Sequence, residues 1–194
     1  MLREKYAGKK FLLASQSPRR QELLKGLDID FEIVKIDADE SYPDYLVRHE
    51  ITEHISQTKS KAYTALKENE ILITADTLVW LNDEVLGKPH DYEEAVEMLK
   101  AQSEATQEVF TSITIRSNQK TKTFSETTKV IFDTLSEEEI RFYLDNYKPF
   151  DKAGAYGIQE WMGYAKISRI EGCYYNVMGL PLRALYQVLM NEEF

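Results

Sequence analysis

Short apolar runs alternate with amphipathic stretches along the chain, and this alternation predicts a mixed α/β fold. Residues 11–14, 31–36 and 71–73 are apolar or weakly alternating runs that are short enough to be strands. Residues 109–116 and 121–132 flank a polar Ser-Asn-Gln turn, which predicts a long antiparallel hairpin. Strands and helices therefore alternate irregularly, and we predict a mixed sheet flanked by helices instead of a purely parallel sheet.

Several segments carry apolar residues at helical spacing behind polar capping residues. The first predicted helix begins after Ser17 and Pro18 and ends near Gly26. A second helical pattern covers about residues 44–67, and others follow Asp91, Ser136 and the Gly-Leu-Pro sequence at 179–181. These helices would supply the apolar faces that cover the sheet.

Composition limits the kinds of partner. The formal charge of −9 disfavours nonspecific nucleic-acid binding through a basic face, so a polyanionic substrate would need a local cationic cluster or a metal ion. The single cysteine, Cys173, excludes an intrachain disulfide and favours a reducing compartment. The charged N-terminus and the short run at 11–14 predict neither a signal peptide nor a membrane span. We therefore expect a soluble, cytoplasmic protein of one domain, or of two lobes that share a sheet.

One candidate site lies on the stretch 71–89. An apolar run ends on Asp76, and a predicted hairpin then leads to the Gly-Lys-Pro turn that carries Lys88. A carboxylate and an ammonium on such a hairpin suit a phosphate and its metal ion. Taken alone, the segment favours the simpler interpretation of a strand-end aspartate that caps a turn and a surface lysine.

A second candidate is the segment between the first strand and the first helix. Ser15 and Ser17 lead into a helix N-terminus, whose free N–H groups and positive dipole end favour anions. Arg19 and Arg20 lie in the first turn, where cations are electrostatically disfavoured unless an anion binds there. A plain N-cap with two solvated arginines is the alternative.

Three further features add candidate groups. The acidic run 37–40 follows a predicted strand, so Glu40 is a possible second metal ligand, although such runs are usually solvated. Lys59 and Lys61 lie late in the helical segment 44–67, and one of them could reach a substrate. The small residues of 151–159 let the backbone approach a ligand, and Lys152 and Gln159 supply a charge and an amide suited to a base edge. A tight structural turn is the alternative for this last segment.

His49 and His54 resemble the paired histidines of zinc proteases but lie five positions apart in the chain instead of four. Five residues rotate the second side chain by about 140° from the first, so the two rings do not converge on one metal. We therefore predict no zinc site on this helix.

Taken together, these motifs resemble the Maf family of nucleotide pyrophosphatases. The matching blocks occur in the family's order: Leu-Ala-Ser-x-Ser-Pro-Arg-Arg-x-Glu-Leu-Leu at 13–24, Lys-Ala at 61–62, Ala-Asp-Thr at 75–77, Gly-Lys-Pro at 87–89, the segment 151–159 and Gly-Leu-Pro at 179–181. The resemblance implies a single Maf-like domain over residues 1–194, with an α/β fold of two lobes around a cleft that is similar to inosine triphosphatase.

The resemblance also implies an activity. Family members split nucleoside triphosphates between the α and β phosphates with Mg²⁺ or Mn²⁺, and Asp76 falls on the catalytic carboxylate. Arg19, Thr77 and Gln159 match the residues that mark the branch acting on dTTP and UTP. Family members are commonly dimers, so we expect a homodimer that binds a nucleoside triphosphate, with neither a nucleic-acid nor a membrane partner.

We predict from this chemistry that Glu40 and Asp76 hold the divalent ion. The predicted phosphate-binding residues are Ser15, Ser17, Arg19, Arg20, Lys61, Lys88 and Lys152. Two alternatives remain open. One is a non-enzymatic regulator of septum formation or cell division that uses the scaffold as a binding surface, and the other is the same chemistry on a modified or noncanonical nucleotide, such as a modified purine.

One block departs from the family pattern. The family has Ser-Gly-Arg-x-His before the central hairpin, whereas this chain has Ser-Glu-Ala-Thr-Gln at 103–107. Any contact that this segment makes to a substrate, metal or partner is therefore in question.

Overall fold

A computed structural model describes all 194 residues, Met1–Phe194. The strands are β1 Lys10–Leu13, β2 Phe31–Ile33, β3 Glu70–Leu81, β4 Glu84–Leu86, β5 Thr106–Arg116, β6 Thr121–Phe132 and β7 Ile167–Glu171. The helices are α1 Leu2–Lys5, α2 Pro18–Lys25, α3 His49–Ala62, α4 Tyr92–Gln102, α5 Glu137–Tyr147, α6 Trp161–Ala165, α7 Tyr174–Val177 and α8 Leu182–Asn191, with a 3₁₀ turn at Ala153–Ala155.

All seven strands form one mixed sheet, as the irregular alternation predicts. The strand order is β2-β1-β3-β5-β6-β7, and β4 pairs with β3. β1 lies parallel to both β2 and β3, with Leu13 opposite Ile73, whereas β3–β4 and β6–β7 are antiparallel. The prediction of a mixed α/β sheet flanked by helices is confirmed.

β3 differs from its prediction. We expected a strand to end at Asp76, but β3 continues through that residue for a total of 12 residues. Six buried residues precede Asp76 and four follow Thr77, while these two alone are half-buried. No glycine or proline interrupts the run, so the ladder continues across two polar positions. The predicted hairpin to β4 is confirmed, with both Asn82 and Asp83 at positive φ, as a tight primed turn requires.

The helix starts agree with the capping residues read from the sequence. The Ser17 hydroxyl accepts the Arg20 N–H before α2, and the Asp91 carboxylate accepts the Glu94 N–H before α4. Ser136 and Glu139 form a reciprocal capping box at α5. α3 starts later than predicted, at His49 and not near residue 44, because Arg48 adopts a positive φ of 55°. None of the helices combines the length and apolar character needed to cross a membrane.

The chain divides into two compact units. Unit 1 comprises Met1–Asp76, Thr111–Glu126 and Gly179–Phe194, and unit 2 comprises Thr77–Phe110 and Thr127–Met178. In unit 2, α4 and α5 surround a large apolar core that includes Leu99, Tyr143 and Leu144. The single-domain prediction for residues 1–194 stays a prediction.

In unit 1, α3 is attached to the sheet by buried hydroxyl groups. The hydroxyls of Thr52 and Ser112 lie 2.6 Å apart, and those of Ser56 and Thr114 lie 3.0 Å apart. The Thr74 hydroxyl, on β3, donates to the Ser56 carbonyl at 2.7 Å. Directional bonds fix the position of α3 more tightly than apolar contacts alone, because each buried hydroxyl must keep a partner.

Thr74→Val tests this attachment. Valine has nearly the same shape but cannot donate to Ser56, so the free energy of unfolding should fall by about 1–2 kcal/mol. Urea denaturation would measure the change, with Thr121→Val as the control because Thr121 is exposed on a strand of the same unit. Equal effects of the two substitutions would contradict a structural role for the Thr74 hydroxyl.

Candidate functional site

The clearest cluster of charge in unit 1 centres on Lys59, from the last turns of α3. Its ammonium donates to the Asp76 carboxylate at 2.9 Å and lies 3.1 Å from a Glu40 carboxylate oxygen. The side chains of Lys59 and Asp76 are only 15% and 14% exposed, whereas Glu40 is 60% exposed. One shielded ammonium thus bridges the two carboxylates that the sequence analysis selected as metal ligands.

Arg20 lies in the same unit with its guanidinium fixed by the main chain. Its Nε donates to the Gly179 carbonyl at 2.8 Å, and a terminal nitrogen donates to the Ala75 carbonyl at 3.0 Å. Burial lowers the pKa of Arg20, and the nearby Asp76 opposes that shift. The group stays protonated in any case, because arginine does not lose its proton in proteins. Arg20 is therefore a fixed positive charge beside β3, bound to the residue that precedes Asp76.

Burial dominates the electrostatics of Asp76. It raises the pKa of the Asp76 carboxyl, while Lys59 and Arg20 act in the opposite direction. A carboxylate whose proton affinity is raised in this way is a better proton acceptor than a solvated aspartate.

The segment before α2 has the geometry of a capped helix start. The Ser17 N–H donates to the Ser15 hydroxyl at 3.3 Å, and the Arg20 N–H donates to the Ser17 hydroxyl at 3.5 Å. Ser15 is buried, and the Gln21 side chain donates to its carbonyl. Arg19 is half-buried in the first turn. These bonds hold the predicted phosphate segment in one conformation.

The structure brings Lys59, and not Lys61, into the cluster. Lys61 is exposed, whereas Lys59 extends the buried stripe formed by Ile51 and Ile55 at intervals of four residues. Two residues apart on a helix, the lysines differ by about 200° and do not share a face. The helical phase was the signal in the sequence that could have selected Lys59. A phosphate role for Lys61 stays a prediction without geometric support.

Unit 2 contains the remaining predicted residues. Thr77 is half-buried on β3, and Lys88 is exposed on the turn after β4. The Gly154 N–H donates to the Gly87 carbonyl at 3.0 Å, so the Gly-Lys-Pro turn and the segment 151–159 are adjacent. Lys152 lies 2.9 Å from Asp151 and 3.2 Å from Glu160, while Gln159 is half-buried at the end of the segment.

The segment that departs from the family pattern, 103–107, makes contacts within unit 2. Gln107 is 1% exposed and donates to the Tyr156 hydroxyl at 2.6 Å. The Ser103 hydroxyl accepts the Leu135 N–H at 2.8 Å, and the Glu104 carboxylate accepts the Thr134 hydroxyl. Glutamine at 107 therefore supports the buried tyrosine of the segment 151–159.

Glu40 and Asp76 fit a hard divalent cation by their chemistry. Mg²⁺ is typically bound by one or two carboxylates, with water and substrate phosphate completing the shell. The two carboxylates already share one cation, the Lys59 ammonium, which shows that both can face the same positive charge. No third acidic, histidine or cysteine side chain joins them. The set therefore suits a metal that arrives with substrate better than a closed structural site.

The chain is similar in sequence to a family of known proteins. A family model described as "Maf-like protein" matches residues 10–192. The chain is 49% identical to a protein of Flavobacterium psychrophilum, with all of both chains covered, and 49% identical to one of Flavobacterium johnsoniae, with 97% of this chain and 98% of the relative covered. It is 51% identical to a protein of Bacteroides thetaiotaomicron over 90% of this chain and 92% of the relative. All three relatives are named dTTP/UTP pyrophosphatase.

Among solved structures, a HAM1 protein from Coxiella burnetii aligns with a TM-score of 0.44 and 13% identity. The alignment covers 64% of this chain and 73% of that protein.

Metal binding tests the bridged carboxylates. The Lys59 ammonium competes with a metal cation for Asp76 and Glu40, so Lys59→Met should raise the Mn²⁺ association constant. We expect an increase of about fivefold, which corresponds to the loss of one ion pair worth about 1 kcal/mol. Asp76→Asn should weaken Mn²⁺ binding. Isothermal titration calorimetry without nucleotide would measure both.

Lys61→Met is the matched control, since Lys61 lies on the same helix turn but is exposed. An equal gain from both lysine substitutions would indicate a general charge effect. Unchanged affinity in Asp76→Asn would remove that residue from the metal site.

Proposed function

The chain belongs to the Maf family, and on that premise we propose that it is a nucleoside triphosphate pyrophosphatase. In the proposed reaction the protein hydrolyses dTTP and UTP between the α and β phosphates to give the nucleoside monophosphate and pyrophosphate. The names of relatives that are 49–51% identical over nearly the whole chain support this activity. The structural observation that supports it best is the Lys59 ammonium between Asp76 and Glu40.

Hydrolysis of a phosphoanhydride requires an activated water and fixed positive charge near the phosphate oxygens. Most of the protein's contribution to phosphoryl transfer is positioning and electrostatic stabilisation. Asp76 is the proposed base or orienting group for the water, because it is shielded from solvent and burial raises its pKa. Glu40 and Asp76 would hold Mg²⁺ or Mn²⁺, and such an ion, when bound, neutralises phosphate charge and polarises the reacting oxygens.

Lys59 and Arg20 would supply the fixed positive charge of unit 1. Arg20 is held by two main-chain carbonyls, so its guanidinium is already ordered before substrate binds, whereas Lys59 is held by the two carboxylates that would bind the metal. Preordered charges stabilise a transition state more effectively than mobile ones. Ser15, Ser17 and Arg19 lie on the helix start that would contact the triphosphate.

Base recognition is assigned to Arg19, Thr77 and Gln159. An amide both donates and accepts, and this matches the alternating carbonyl and N–H groups on the edge of uracil or thymine. Gln159 is half-buried and follows a buried stretch at 154–158, so the main chain that carries its side chain is held in place. Lys88 and Lys152 are the proposed phosphate-binding residues of unit 2.

The alternative of a non-enzymatic regulator has less support. The altered segment 103–107 gave this alternative some weight, because a regulator would use the same scaffold as a binding surface. Gln107 is instead buried against Tyr156, and Ser103 and Glu104 bind the turn before α5. A homodimer is part of the proposal only through the family resemblance.

A panel of nucleotides tests the proposed reaction. Pyrophosphate release from dTTP, UTP, CTP, GTP, ITP and 7-methyl-GTP with Mg²⁺ or Mn²⁺ should be fastest for dTTP and UTP. Asp76→Asn and Lys59→Met should each lower kcat by roughly 10²-fold to 10³-fold, since each removes a charge from the reacting centre.

Lys25→Met serves as the matched control and should retain nearly full activity, since Lys25 is an exposed lysine of unit 1 that pairs with Glu22 outside the predicted site. Asp76→Asn with near-normal turnover would remove Asp76 from catalysis. Turnover of a purine nucleotide alone would keep the reaction but overturn the assignment of Arg19, Thr77 and Gln159. A folded protein inactive on the whole panel would favour the regulator.

A further inference from the structure

We propose that Glu160 is a positioning residue that holds Lys152 and Gln159 in their working arrangement. The inference rests on the proposed function, because it concerns how the segment 151–159 contacts the nucleotide. Glu160 was not selected from the sequence, in which it directly follows the segment 151–159.

The Glu160 carboxylate is bound from two sides. One oxygen lies 3.2 Å from the Lys152 ammonium, and the other accepts the Tyr143 hydroxyl. Glu160 and Lys152 are only 19% and 11% exposed, and Tyr143 is fully buried. A glutamate on the surface would be solvated, whereas this one is enclosed by its partners.

Tyr143 connects the carboxylate to the main chain of the segment. Its hydroxyl oxygen accepts the Gly157 N–H at 2.9 Å while its proton is donated to Glu160. Burial and the adjacent carboxylate raise the pKa of Tyr143, so it stays neutral and keeps donating. The chain Lys152–Glu160–Tyr143–Gly157 therefore links both ends of the segment.

Gly157 is the residue that lets the carboxylate lie so close. A β-carbon placed on Gly157 would be 2.8 Å from the Glu160 Cδ and 2.9 Å from one carboxylate oxygen. Any other residue would push the carboxylate away from Tyr143. The glycine is thus explained by the space that Glu160 needs at this position.

The main chain of Glu160 is fixed as firmly as its side chain. Its N–H donates to the Gly157 carbonyl at 3.1 Å, and its carbonyl accepts the N–H groups of Gly163 and Tyr164. Gln159 immediately precedes it, and the Gln159 carbonyl accepts the Tyr164 hydroxyl. The direction of the Gln159 side chain therefore depends on the turn that Glu160 closes.

A purely structural role gives a different expectation. If Glu160 only stabilised the segment, its loss would lower stability and reduce turnover of all nucleotides alike. A positioning role acts through Lys152 on phosphate binding and through Gln159 on base choice. KM, and the preference for dTTP over CTP, should then change more than kcat.

Glu160→Gln is the decisive variant, since it retains the shape and an acceptor for Tyr143 but removes the shielded one of the two carboxylate charges next to Lys152, leaving only the exposed Asp151. We expect the KM for dTTP to rise about tenfold, as suits the loss of a charge-assisted bond. The preference for dTTP over CTP in kcat/KM should fall by at least about fivefold, and kcat should change less than about threefold. In a Lys152→Met background the same substitution should add less than about twofold to KM, because its partner is already absent.

Glu139→Gln is the matched control. Glu139 is a partly exposed glutamate in the first turn of α5 in unit 2, and it pairs with Lys166 at 2.6 Å and with the Ser136 N–H instead of Lys152 and the Tyr143 hydroxyl. It should leave KM and the base preference unchanged. Tyr143→Phe provides a second variant, in which the Gly157 amide should exchange hydrogen faster and the base preference should fall.

Several results would overturn the inference. A uniform loss of kcat on all nucleotides in Glu160→Gln, with KM and base preference unchanged, would leave only a structural role. If Glu160→Gln failed to fold, an unchanged base preference in Tyr143→Phe would have the same meaning. Inactivity of the wild-type protein would overturn the proposed function and this inference together, whereas an active wild type with an unchanged Glu160→Gln overturns the inference alone.

Discussion

The arrangement of unit 1 depends on the Lys59 ammonium, which is held away from solvent between two carboxylates. A shielded charge is costly unless it is paired and hydrogen-bonded, so the elements that carry Lys59, Asp76 and Glu40 must stay in register. Buried hydroxyl bonds between α3 and strands β3 and β5 meet this requirement on the Lys59 side. The uninterrupted ladder of β3 meets it at Asp76. The need to keep the Lys59 ammonium paired with its carboxylates therefore explains both the attachment of α3 to the sheet and the geometry of the candidate site.

The sequence allowed much of this arrangement to be predicted, and the differences have physical causes. Capping residues predicted the starts of α2, α4 and α5, because caps act locally. The extent of β3 was not predicted, since a ladder can cross two polar residues when its neighbours supply the bonds. On α3, the sequence analysis selected Lys61 because it belongs to the Lys-Ala block of the family. The helical phase of the buried Ile51 and Ile55 indicates Lys59 instead.

The role of Glu160 lies beyond what a pattern can reveal. Its partners Tyr143 and Lys152 are on α5 and before the 3₁₀ turn, so their meeting depends on how unit 2 packs. The sequence analysis interpreted Gly157 as one of the small residues that let the backbone approach a ligand. In the structure, a glycine is needed there because the Glu160 carboxylate occupies the space of a side chain. The altered segment 103–107 gives a similar lesson, because the glutamine found at 107 has a buried tyrosine as its partner. Long-range polar contacts of this kind leave no periodic signal in the sequence.

Charge balance explains why the candidate site would require a metal and several cations together. With both carboxylates ionised, Asp76 and Glu40 cancel Lys59 and Arg20, so this cluster is neutral by itself. A nucleoside triphosphate carries about four negative charges, which a neutral cluster cannot offset. A divalent ion would supply two positive charges and would take the carboxylates from Lys59, which frees the ammonium to face phosphate. In this arrangement one lysine balances the carboxylates before the substrate binds and the phosphates afterwards.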